Sequence, residues 1–274
     1  MIVWLSSYPK SGNTWVRTFL SNYLFDESEN PLENIKKIQA YPRFRHFDFL
    51  SSNDLKTIGD REQNYKFHLI AQERLNLNGK LNILKTHNYF GALNNYYFTN
   101  ENNSFGFIYF VRDPRSVAVS LSHHTNKNFD KTIEMMLNKN QFMKPENQNG
   151  LIEFFSSWKI NYLSWKRSKL PKLIIKYEDL KRNSKDNFLK ILNFLKKFDS
   201  KIQIDEKKID RISQKCEFDN LQKLEKKFGF DERKGSSLFF RNAKNEEWKD
   251  VLTSSQLDLL NNEFQNEMKD LGYL

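Results

Sequence analysis

The apolar positions of this chain form short continuous runs separated by longer stretches of helical period. Residues 2–5 are the first such run, and they empty into the turn Tyr8-Pro9-Lys10-Ser11-Gly12. Beyond the turn Val16, Phe19, Leu20, Tyr23 and Leu24 recur at i, i+3, i+4, i+7 and i+8, which predicts a helix with one buried stripe. Residues 81–84, 105–111 and 173–180 predict further strands. The second of these precedes Asp113-Pro114, a natural N-cap and N1 pair, so another helix starts there. Residues 151–166, with Phe154, Phe155, Trp158 and Tyr162 near one stripe, predict an aromatic core helix, and a Leu/Ile/Phe stripe predicts a basic helix over 185–198. Strand and helix signals alternate with no Pro/Gly/Ser-rich linker and no internal repeat. The fold class this predicts is α/β: one domain spanning 1–274, with a mostly parallel central sheet flanked by helices.

Composition changes this picture little. The 24 Phe residues supply ample core despite a mean hydropathy of −0.75. A single cysteine rules out an intrachain disulfide. The first strand runs straight into the turn, leaving no secretory signal, and no apolar stretch approaches the roughly 20 residues of a membrane span, so a cytoplasmic protein is expected. The net charge of +10 raises a nucleic-acid-binding reading. Its lysines, however, lie on amphipathic helices expected at 182–198 and 222–234 and are interleaved with acids, the pattern of a solvated face. No nucleic-acid partner is expected, and the surplus charge is also compatible with an acidic ligand such as a sugar acid or polysaccharide.

The chemistry gathers at strand ends. The first turn opens a helix, where unpaired N–H groups and the positive dipole end meet Lys10 and the hydroxyls of Ser11 and Thr14, an arrangement suited to a phosphate-like anion. It is not a Walker A loop, because Lys10 comes before Gly12 and no glycine stands upstream to open a triphosphate nest. The strand at 105–111 ends on Arg112, whose forked guanidinium suits a terminal phosphate, with Ser116 and Ser120 one turn apart on the helix beyond it. The run at 81–84 ends in Lys85-Thr86-His87. An imidazole at a strand's carboxyl end can take a proton near neutral pH. The other four histidines, His46, His68, His123 and His124, read as structural. Glu178 and Asp179, after the strand at 173, have a Walker B look, which leaves a magnesium ligand as one reading and a structural acid as the other.

The string Tyr8-Pro-Lys-Ser-Gly-Asn-Thr-Trp15 resembles the 5′-phosphosulfate loop of the sulfotransferases that use 3′-phosphoadenosine 5′-phosphosulfate (PAPS), usually Pro-Lys-Ser-Gly-Thr-Thr-Trp. Asn13 is the one departure. The resemblance recurs in order along residues 8–248 and implies the family's P-loop-like, nucleotide-kinase-like fold. It further implies PAPS as cofactor, adenosine 3′,5′-bisphosphate (PAP) as product, and no metal. Lys10, Ser11, Gly12, Asn13 and Thr14 match the loop, with Trp15 on the adenine; Arg112 and Ser120 match the 3′-phosphate site; Lys85 and His87 match the catalytic Lys-Thr-His. Tyr177, in Tyr-Glu-Asp-Leu, matches the adenine-reaching tyrosine, which makes Glu178 and Asp179 structural. Cys216-Glu217-Phe218 resembles a Thr-Ser-Phe segment of the purine pocket, with Cys216 in place of a hydroxyl.

The family's Arg-Lys-Gly, with Trp downstream, offers two matches. Arg233-Lys234-Gly235 has the letters. Arg241-Asn242-Ala243 has the spacing to Trp248 and the aromatic pair Phe239-Phe240 before it, and it is preferred, although Ala243 lacks glycine's freedom at positive φ. In the implied reaction Lys10 meets the charge on the leaving nucleotide, Lys85 supports the sulfuryl oxygens, and His87 deprotonates a hydroxyl or amine of a small-molecule or carbohydrate acceptor. Acceptor loops are expected around 40–60, 88–100 and 125–150, including Tyr41, Phe44, His46, Phe47 and Phe90. The alternatives are a P-loop-type kinase using ATP and a basic nucleic-acid binder. The family's dimer motif, Lys-x-x-x-Thr-Val-x-x-x-Glu, keeps only Lys249 and Thr253 before Ser254 and Asp258, so the oligomeric state stays open.

Overall fold

A computed structural model describes residues 1–25, 27–57, 60–93, 95–143, 151–233, 237–242 and 246–274. Its strands, in chain order, are β1 (Ile2–Ser7), β2 (Asn82–Thr86), β3 (Ala92–Leu93), β4 (Tyr96–Tyr97), β5 (Ser104–Val111), β6 (Phe142–Met143), β7 (Glu153–Phe154) and β8 (Lys172–Lys176). The central sheet is parallel, in the order β2-β1-β5-β8. The short strands form two antiparallel ladders, β3 with β4 and β6 with β7.

The continuous apolar runs follow from a sheet covered on both faces. Ile2 and Trp4 of β1 join Phe107, Tyr109 and Val111 of β5 in one core cluster, whereas Val3, Leu5, Ile108 and Phe110 join a second on the opposite face. Helices Asn13–Leu24 and Ser184–Lys196 cover that second face, with Phe19 and Phe188 stacked at 3.7 Å between ring centroids. The stripe read from the sequence is therefore the buried one, although Leu24 at its end is only half-buried.

Three elements differ from their expected limits. The strand at 173 stops at Lys176, and Tyr177 opens helix Tyr177–Arg182, whose first turn carries Glu178 and Asp179, a charge pattern the helix dipole favours. The helix expected over 151–166 is Trp158–Arg167. Ser157 caps it by accepting from the Ile160 N–H, and residues 151–155 before it are buried extended chain that builds β7. The Lys-rich helix expected to reach 234 is Phe218–Phe228, ended by Gly229.

Strand order locates the cleft. From β1 the chain crosses to β2 on one side and later to β5 on the other, so β1 lies where the order reverses, and a crevice opens beyond its carboxyl end.

Candidate active site

That crevice is a cavity of about 980 Å³. β1 leads to Lys10, β2 to Lys85 and His87, β5 to Arg112 and β8 to Tyr177, and all five residues line it.

The first loop is shaped for an anion. Lys10 and Gly12 both have positive φ, at 66° and 96°. Gly12 is the N-cap of helix Asn13–Leu24, and no side chain caps that first turn; the Gly12 carbonyl takes the N–H groups of Trp15 and Val16, which leaves the turn's remaining N–H groups and the dipole to an external acceptor. A Cβ on Gly12 would lie 2.6 Å from Cδ2 of Tyr177, so only glycine meets both the backbone angle and the ring above it. The Lys10 ammonium sits 3.7 Å from the centroid of the Phe239 ring. Burial, reinforced by Arg112, lowers its pKa to about 7, against the opposing pull of Glu225 and Glu232. Glu225 is itself fully spent, its carboxylate accepting the N–H groups of Phe239 and Phe240 at 2.6 and 2.9 Å.

The remaining loop residues divide. Ser11 is buried off the cavity, and its hydroxyl has no partner among the described residues. Asn13 lines the cavity but turns its amide inward, donating to the Leu5 carbonyl at 2.8 Å and to the Ser7 hydroxyl at 3.3 Å. Thr14 donates its hydroxyl to Glu232 Oε2 at 3.2 Å, and the other carboxylate oxygen takes a bond from buried Arg17 at 2.7 Å. A carboxylate thus occupies a donor of the anion loop.

Arg112 bonds the Lys10 carbonyl at 3.3 Å, lies 4.3 Å over the Tyr177 ring, and keeps a buried Nε with no partner among the described residues. The orphaned buried donor on Arg112, beside two lysines and a helix N-terminus, fits a nucleotide carrying sulfate and phosphate groups.

Ser120 lines both this cavity and a small adjoining one, where it meets Arg241, Asn242 and Trp248. Arg241 forms a two-pronged pair with Glu247 there. Arg233 lines the main cavity and donates to the Ser237 carbonyl at 3.0 Å, whereas Arg241 lines only the small adjoining one. Ala243, Lys234 and Gly235 lie outside the described residues.

On the aromatic side Trp15 donates Nε1 to the Cys216 carbonyl at 2.7 Å and meets Tyr177 edge-on at 6.2 Å, with Phe218 also on the wall. Cys216 contributes its backbone. Its thiol is fully buried, pushed up to about 12 by burial, and absent from the lining. Glu178 accepts from the Tyr273 hydroxyl at 2.8 Å and the Asp113 N–H at 3.2 Å, and Asp179 pairs with Arg182; both acids are committed to the scaffold.

His87 is held by the first strand. Its Nδ1 lies 2.8 Å from the Ser7 carbonyl, which can only accept, so the proton sits on Nδ1 and Nε2 is the bare nitrogen. Burial and then the Lys85 charge keep its pKa well below the usual imidazole value. Lys85, also buried, lies 3.9 Å from Glu153 Oε1, and burial lowers its pKa against the opposing charges of Glu153 and Glu232.

Glu153, Glu232 and Arg43 line the cavity without having been singled out from the sequence. So does His124, read there as structural; its place four residues after Ser120 on one helix face was the available signal. Of the expected acceptor residues, Tyr41 lines the cavity, His46 and Phe47 are buried behind it, and Phe90 packs edge-on against Trp165. The side chain of Phe44 lies outside what is described.

A parallel sheet whose strand ends gather a lysine, an imidazole and a guanidinium around an uncapped helix N-terminus defines an α/β enzyme for anionic, nucleotide-like ligands. A family model described as the sulfotransferase domain matches residues 2–272, and the chain belongs to that family. It is 28% identical to cytosolic sulfotransferase 14 of Arabidopsis thaliana, over 81% of this chain and 61% of that protein. It is 25% identical to an amine sulfotransferase of Oryctolagus cuniculus, over 98% of this chain and 81% of the relative. Among solved structures, a mouse sulfotransferase complexed with PAP superposes with a TM-score of 0.62 at 20% identity, over 99% of this chain and 86% of the other. A retinol dehydratase complexed with androsterone and PAP gives 0.59 at 18%, over 98% and 81%. Identities this low speak for the fold alone. Among the described residues no helix is long and apolar enough to cross a membrane.

Proposed function

We propose that this chain transfers the sulfuryl group of PAPS to a hydroxyl or amine of a small-molecule acceptor and releases PAP. The observation that carries this reading is the common cavity shared by Lys10, His87 and Arg112, each from a different strand end. The PAP complexes of the solved relatives support the choice of nucleotide.

PAPS supplies an activated sulfuryl group whose transfer needs in-line positioning and charge stabilisation rather than covalent help. Lys10, Gly12 and Thr14, with the helix N-terminus, hold the 5′ end, and Lys10 neutralises charge on the departing oxygen. Trp15, Tyr177 and Phe218 enclose the base. Arg112 and Ser120, with Asn242 and Arg241 or Arg233, hold the 3′-phosphate, a group remote from the reaction whose binding orients the donor. His87 takes the acceptor's proton at Nε2, and Lys85 lies beside it to meet the sulfuryl oxygens. Tyr41, Phe142, Leu151 and Phe155 give the acceptor side an aromatic and aliphatic wall.

The test is a thermal-shift comparison of PAP, ATP with magnesium, and duplex DNA, and then labelled-sulfate transfer across phenols, amines and sugars with PAP release as readout. PAP at 100 times its Kd should add about 2.7 kcal/mol of stability. Stabilisation by ATP–magnesium without any by PAP overturns the reading.

A further inference from the structure

Glu153 is a buried carboxylate in the wall of this cavity, and the proposed reaction leaves it without a task. It sits in β7, paired across to Met143, and is 6% exposed. Its Oε1 accepts the backbone N–H of His87 at 2.6 Å and lies 3.9 Å from the Lys85 ammonium. One oxygen therefore engages both functional residues at the end of β2. A carboxylate removed from water is costly unless it is paired and bonded, and here the compensation comes from those two residues.

We propose that Glu153 is a positioning residue for the transfer: its carboxylate fixes the end of β2, holding His87 by its main chain and Lys85 by its charge, so that base and cation keep one spacing. The proposal rests on the sulfotransferase reading of the cavity. Each neighbour supports a part of it. The Ser7 carbonyl orients the imidazole ring but leaves the His87 backbone N–H to be met, and Glu153 meets it. Lys85 is faced by Glu153 from β7, by Glu232 from the segment after helix Phe218–Phe228, by Arg17 from helix Asn13–Leu24 and by Arg43. Two of these are cations that favour a neutral lysine. Glu153 is the strongest of the opposing charges, so the ammonium form of Lys85 depends on it first.

Glu153→Gln isolates the charge, because the amide oxygen still accepts the His87 N–H. The experiment tracks the ε-carbon signal of Lys85 by NMR as a function of pH in PAP-saturated protein labelled with 13C-lysine, the signal being assigned by its loss in Lys85→Met. In Glu153→Gln the Lys85 midpoint should fall by about one pH unit or more. PAP affinity should stay within about twofold, and the alkaline limb of kcat should move down with the NMR midpoint. Glu153→Asp, which keeps the charge but shortens its reach, should hold the Lys85 midpoint and lower kcat. An unmoved midpoint in Glu153→Gln, or a kcat loss matched by equal losses in PAP affinity and melting temperature, overturns the proposal. The NMR arm needs no turnover, so an unmoved midpoint sinks this proposal alone, whereas an unmodified protein that transfers no sulfate sinks the sulfotransferase reading on which it rests.

Discussion

The Nδ1 of His87 lies 2.8 Å from the carbonyl oxygen of Ser7, a bond that runs from the end of β2 to the end of β1. The two strands are neighbours, so the sheet itself fixes which ring nitrogen is bare. With its pKa held well below the usual imidazole value, His87 is neutral before any acceptor arrives.

Replacing it tests that role directly. His87→Ala should lower turnover by about 10²- to 10⁴-fold, the span of a lost general base, while PAP affinity measured by calorimetry stays within about twofold. Equal loss of both would make the imidazole structural.

Lys10 carries a pH signature. Its pKa in the free protein is lowered to about 7, and a bound polyanion favours the charged form, so the complex holds the proton more tightly than the free protein does. Affinity for PAP should therefore be greatest below pH 7 and weaken as pH rises past it, with proton uptake on binding visible in buffers of different ionisation enthalpy. A Kd flat from pH 6.5 to 8.5 contradicts this.

Arg112→Ala should act on binding before chemistry. Losing its charge-assisted bonds corresponds to about 1.5–3 kcal/mol, roughly a 10- to 100-fold rise in the PAP Kd. The same variant should bind adenosine 5′-monophosphate, which lacks the 3′-phosphate, nearly as the parent does.

Gly12→Ala places a methyl group 2.6 Å from the Tyr177 ring on a backbone at φ 96°. Strain and overlap together should cost about 1–3 kcal/mol in urea unfolding and abolish PAP binding. Retention of both would mean that the loop and ring move apart freely.

Behind the acceptor wall His46 and His68 are buried around Tyr41, with pKa values lowered by burial to about 4 and about 3 from an unfolded 6.5. Between these limits the unfolded chain binds more protons than the folded one, so stability is lost as pH falls below 6.5. Unfolding at pH 5 should be easier than at pH 7 by roughly 2 kcal/mol for each histidine, and His68→Gln should remove one share of that slope.

Much of the site was legible because parallel strands deliver their next residues to a common edge, so Lys10, His87 and Arg112 needed only correct strand limits, while Tyr177, expected inside a strand, opens the helix just past its end. Helix starts were legible where a cap marked them, as at Asp113-Pro114. The aromatic stripe at 154–162 misled, because spacing alone does not distinguish a buried helix turn from buried extended chain when every candidate is apolar; the Ser157 cap decided it. Glu153 and Glu232 stayed hidden for a different reason. An acid on a charged chain gives no local sign of burial, and their partners Lys85 and Arg17 lie far away in sequence.

Glu232 changes what an affinity measurement on this protein reports. Thr14 already donates a hydrogen bond from its hydroxyl to that carboxylate, and Arg17 anchors it there. Any incoming anion that claims the same donor must displace a tethered competitor, so the measured constant is that of an exchange, and salt will weaken the resident and the visitor together.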